Sequence, residues 1–167
     1  KTYYQKYKIV YGFQSYEELI VRTSSKFSDS LRPYLGMSVF RRHADTGEVS
    51  YTPLPPGSIF IGDRNYGNWK VLKNGNKTWS FFRVYRQLPT YLGWFDFSPS
   101  YAVFLKISSH EELDKPYFGS NDEFGLKGSI TKKAYPKYFE RQIPEDINLK
   151  TFIKDYLKEN FIKRESL

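Results

Sequence analysis

Residues 57–94 read GSIFIGDRNYGNWKVLKNGNKTWSFFRVYRQLPTYLGW. The stretch holds all three tryptophans of the chain, Trp69, Trp79 and Trp94, together with Tyr66, Phe81, Phe82, Tyr85 and Tyr91. Arg64, Lys70, Arg83 and Arg86 are interleaved with these rings. The segments NWKVLK and KTWSFFRVY flank Asn74-Gly75-Asn76, a turn signal between two runs rich in aromatic and β-branched residues, so a β-hairpin is expected. Of the two short-loop registers, a two-residue Asn-Gly turn would set Trp79 opposite Lys70. A three-residue loop with Asn76 in the left-handed region would set Val71 opposite Trp79 and Trp69 opposite Phe81. The second gathers apolar partners on one face, so packing favours it. In that register alternation puts Trp69, Val71, Trp79 and Phe81 on one side, expected to be the core.

Working outward, Thr2 to Phe13 is tyrosine-rich and reads as a first strand. Ser15 to Arg22 is short and ambiguous between helix and strand. Ser24 to Leu35 is suited to one capped helical turn before Arg32-Pro33, with Gly36 as the stop. SVFRRHA and EVSYT flank Asp45-Thr46-Gly47 and read as another hairpin, closed off by Pro53, Pro55 and Pro56. SIFIGD (residues 58–63) and the apolar run YAVFLKI (residues 101–107) read as strands. At most one strand is expected near Leu126 to Thr131. Leu149, Phe152, Ile153, Tyr156, Leu157 and Phe161 repeat with helical spacing, which predicts an amphipathic C-terminal helix over residues 148–163. The expectation is one α+β domain spanning residues 1–167. Its twisted antiparallel sheet or partly open barrel would have about five to seven strands, with the aromatic β core over residues 38–107 and the C-terminal helix packed on the sheet.

Composition narrows the chemistry. The 167 residues include 15 Tyr and 14 Phe, no Cys, and a net charge of +8. The lack of cysteine excludes disulfides, thiolate metal sites and cysteine nucleophiles. The positive charge favours anionic ligands such as nucleic acid, anionic lipid or phosphorylated glycans. The cations are scattered, however, and no polybasic block marks a nucleic-acid surface. No apolar run approaches the ~18 residues of a membrane span. A first residue other than methionine suits a processed, exported chain, and an extracytoplasmic setting is expected.

No nucleotide-binding glycine loop and no Gly-x-Ser-x-Gly elbow occurs. His110-Glu111-Glu112 lacks the second histidine of a zinc helix, and Ser109 with Glu112 fits a capping box, so no metal or cofactor is expected. Asp63 and Asp96 end aromatic segments and are the one carboxylate pair to weigh as the acid and base of a glycan hydrolase. Asp63 after Gly62 also suits an Asx-turn, and Asp96 between Phe95 and Phe97 suits outward alternation. Gly67-Asn68-Trp69 and a hairpin followed by a tryptophan resemble bacterial SH3-like modules over residues 57–94. These are common β-turn elements, and no family function follows from them. The expected function is therefore a non-catalytic binding or structural module of a bacterial cell envelope. Tyr66, Phe82, Tyr91 and Trp94 would stack on a glycan, peptide or protein ligand, and Arg83 and Arg86 would clamp its polar groups. A glycan hydrolase using Asp63 and Asp96 is the alternative, and single-stranded nucleic-acid binding the third reading.

Overall fold

A computed structural model describes residues 2–12 and 15–140. The expected helix at 148–163 lies outside the described residues. The class is α+β. Residues 1–135 form one compact unit, and a second unit begins at Pro136, where the described part is a short helix, Pro136–Glu140. No described helix is long and apolar enough to cross a membrane.

Among the described residues there are six strands, which form three separate two-stranded antiparallel ladders and neither a continuous sheet nor an SH3-like barrel. The first ladder pairs β1 (Tyr3–Tyr11) with β2 (Ser15–Thr23) over nine residues each. Helix α1 (Ser25–Leu31) follows, capped as expected by the Ser24 hydroxyl, which accepts the Phe27 amide at 3.2 Å. The second ladder is the short hairpin β3 (Arg41–Arg42) with β4 (Val49–Ser50), turned at Gly47. The third is β5 (Gly67–Val71) with β6 (Lys77–Phe81).

The β5–β6 register departs from the expected one by two residues: Trp69 faces Trp79, and Gly67 faces Phe81. The turn explains this. Gly75, at φ +81°, takes the left-handed position, which costs a residue with a Cβ more than it costs glycine. The Gly75 amide donates to the Leu72 carbonyl at 2.9 Å, and the Leu72 amide donates to the Asn76 carbonyl at 2.7 Å. Pairing 72 with 76 fixes every later pair. A slip of two preserves which side each residue faces, so Trp79 is buried as expected and Trp69 and Phe81 pack against the same core.

Three segments expected as strands fold otherwise. Residues 58–60 make a 3-10 turn. After the four-residue helix α2 (Leu88–Tyr91), the run 101–107 lies in helix α3 (Tyr101–Glu112). Residues 129–134 form helix α4. The helix runs on through the polar residues 108–112, and the Ser100 hydroxyl caps its start by accepting the Val103 amide at 3.2 Å. Ser109 consequently sits in the last turn of α3 and does not begin a helix.

The main core gathers Leu54, Phe60, Ile61, Trp79, Leu88, Leu92, Trp94, Ile107 and Tyr117. A smaller one forms around Met37, Phe124 and Ile130, and Phe97 packs against both. Segment 99–100 closes the free edge of β6: Thr78 bridges Ser100, and the Trp79 amide donates to the Pro99 carbonyl at 2.8 Å.

Candidate functional site

The segment after β6 positions the site. The Phe82 amide donates to the Tyr66 carbonyl at 2.9 Å, extending the hairpin by one pair. Residues Arg83–Tyr85 then form a 3-10 turn, and Arg86 and Gln87 continue with similar dihedral angles. In such a turn, side chains three apart eclipse. Tyr85 and Leu88 therefore share the inward row, where Leu88 is fully buried and the Tyr85 ring packs 4.9 Å from Tyr66. Arg83 with Arg86 and Val84 with Gln87 make the two outward rows. These four residues line a shallow depression of about 360 Å³. The two arginines emerge one turn apart, roughly 6 Å along the axis. Among the described residues, neither has a carboxylate partner within 4.0 Å.

The six residues expected at the site divide into three groups. Arg83 and Arg86 line the depression, and Phe82 stands beside it, 41 % exposed. Tyr66 lies beneath the turn, between Phe60 and Tyr85, with its hydroxyl against Gly12. Burial, then the nearby Asp63 carboxylate, pushes that hydroxyl above its ordinary pKa of 10.0. Tyr91 packs on Tyr16 of β2 at 5.2 Å, and the Lys8 ammonium sits 4.3 Å over the other ring, so this pair clasps β2 to α2. Trp94 is 2 % exposed, donates its indole N–H to the Pro56 carbonyl at 2.8 Å, and belongs to the core. Neither Tyr91 nor Trp94 offers a stacking face at the depression.

The carboxylates weighed for hydrolysis stand apart from the depression. Asp63 Oδ1 accepts the Asn65 amide at 2.9 Å in an Asx-turn, and Asp96 is exposed in an ion pair with Lys133 at 2.5 Å. Glu111 pairs with buried Arg41 at 2.9 Å, and His110 Nδ1 lies 3.0 Å from the Pro116 carbonyl. Among the described residues, no three histidine or acidic side chains cluster as metal ligands.

Sequence reasoning missed Val84 and Gln87. The signal was the three-residue spacing of Arg83 and Arg86, which the strand-like reading of FFRVY concealed. It also missed an exposed ring pair on the second hairpin, Phe40 and Tyr51, 5.4 Å apart.

Two arginines present ten N–H donors in planar forks suited to carboxylate, phosphate or sulfate oxygens. Val84 adds an apolar contact, and Gln87 adds one amide donor–acceptor. No lining residue is a nucleophile or a general base. Compared with known proteins, the chain matches no family model, no curated protein and no solved structure.

Proposed function

We propose that the chain is a non-catalytic binding module of a bacterial cell envelope that holds an anionic glycan, peptide or protein segment across the Arg83–Arg86 depression. The observation that carries this reading is the pair of arginines on one exposed face, without carboxylate partners among the described residues, beside exposed Phe82 and Val84. The net charge of +8 concentrates anionic ligands near the surface. The open form of the depression suits a polymer lying along it better than an enclosed small molecule.

Titration with dextran sulfate and with polyglutamate, followed by calorimetry, tests the reading. Arg83→Ala and Arg86→Ala should each weaken binding about tenfold, since each removes charge-assisted hydrogen bonds. Phe82→Ala should weaken it less. Wild-type affinity in a folded double variant would sink the proposal. Tighter binding to oligo-dT with a steep salt dependence would favour the nucleic-acid reading instead. Release of reducing ends from a glycan, lost in Asp63→Asn or Asp96→Asn, would establish the hydrolase.

A further inference from the structure

Among the described residues neither outer edge of the β1–β2 ribbon has a strand partner, and the β2 edge is the more exposed of the two. Every residue of β2 from Ser15 to Arg22 is exposed, and Leu19, Ile20 and Val21 form an unbroken apolar centre in which Ile20 is 65 % exposed. Among the described residues, β2 pairs only with β1. Nine residues of bare edge, about 30 Å of unpaired amides and carbonyls, invite another strand. Natural edges are commonly protected by lysine, proline or a bulge. β1 carries Lys6 and Lys8, whereas β2 carries neither lysine nor proline.

The charge order of β2 selects the strand that would fit. A symmetric antiparallel pair of two β2 edges has its twofold axis perpendicular to the sheet, so a residue can face only residues of its own side. With the axis at Glu18, like charges meet. With the axis at Leu19, Tyr16 faces Arg22 and Glu18 faces Ile20. With the axis at Val21, Ile20 faces Arg22. Only with the axis at Ile20 does Glu18 of each copy face Arg22 of the other, while Leu19 faces Val21 and Ile20 faces itself. The same side already holds Lys6 against Glu18 at 2.7 Å, so the contact forms a row of alternating charge, Lys6, Glu18 and the partner's Arg22. β1 contains no acidic residue, so pairing it with itself could form no such ion pair.

We propose that β2 is a homodimerisation edge, on which two copies join in the Ile20-centred register to give a four-stranded antiparallel sheet. Sedimentation velocity on the full chain should show a dimer across the micromolar range. Glu18→Arg and Arg22→Glu should each weaken it about tenfold, and the two substitutions together should restore much of the loss. Because the chain has no cysteine, Ile20→Cys gives a single-site probe. Directly opposed residues, whose Cα atoms stand about 4.5–5.5 Å apart, meet disulfide geometry. Ile20→Cys should therefore cross-link under mild oxidation faster than Leu19→Cys or Val21→Cys alone, and a mixture of those two should cross-link to each other. A monomer at all concentrations, or cross-linking equally fast at Ile20 and at exposed Ile9, would overturn the proposal. A dimer indifferent to both charge substitutions would overturn the register.

Discussion

Gly67 stands opposite Phe81, and a Cβ there would collide with the Ser80 carbonyl and lie 2.8 Å from the Trp79 ring. Neither the backbone of β6 nor a buried indole can yield cheaply. Gly67→Ala should therefore cost about 2–3 kcal/mol of unfolding free energy, in the range of overpacked cores. Gly75→Ala meets open space and only the strain of a positive φ, so about 1 kcal/mol is expected. Urea midpoints of the two variants check the order, and equal losses would refute the collision. Legibility at this scale was uneven. Trp79 and Phe81 were placed on the core side by alternation alone. Trp94, expected to stack on a ligand, is instead buried, and no local pattern reveals the partner of its N–H. The acceptor is Pro56, 38 residues earlier.

Among the elements, the second and third hairpins are readable because their determinants are local, whereas β2 of the first is ambiguous in sequence. Asn74-Gly75 and Asp45-Thr46-Gly47 fix the turns within a few residues. Helix α3 is not readable, since a run such as YAVFLKI is apolar at both periods, and only length and caps separate a buried strand from a helix. The deciding groups flank the run: Ser100 at its start and the polar SSHEE that continues it. The Ser100 cap yields a test. Ser100→Ala should lower stability by about 1 kcal/mol, while Ser100→Asp should stay near wild type. If alanine and aspartate behave alike, the Ser100 side chain does not hold the helix start. The three ladders failed to merge for a related reason. The free edge of β6 is occupied by the Pro99–Ser100 segment, which leads straight into α3, so no further strand can add there.

At the scale of the whole molecule, contacts far apart in sequence join the elements, and few of them were legible. Arg41 and Glu111, 70 positions apart, tie the second hairpin to α3, with Arg41 almost fully buried and also donating to the Ser38 carbonyl and the Ser50 hydroxyl. Glu111→Ala strands a buried guanidinium and should destabilise more than Arg41→Met, which removes the charge and keeps most of the volume; equivalent losses in thermal melts would contradict this.

Tyrosine abundance has a parallel consequence at high pH. Burial raises the hydroxyl pKa of Tyr66, Tyr117 and Tyr135 above 10.0, with Asp63 adding to it at Tyr66 and Glu18 at Tyr135. Between 10.0 and those raised values, the unfolded chain has lost phenol protons that the folded chain keeps. The stabilising contribution is therefore complete below pH 10 and declines as pH rises through the folded values. Lys8 acts in the opposite sense. Burial lowers its amine below 10.5, so the cost of its folded charge diminishes as pH climbs from its folded value toward 10.5. The Lys8 gain ends at pH 10.5, whereas the three phenols all act toward a loss of stability above pH 10. Urea midpoints measured from pH 8 upward should fall there, and Tyr66→Phe or Tyr135→Phe should flatten the fall. A midpoint that keeps rising past pH 11, or a decline unchanged in both variants, would remove the buried phenols as its cause.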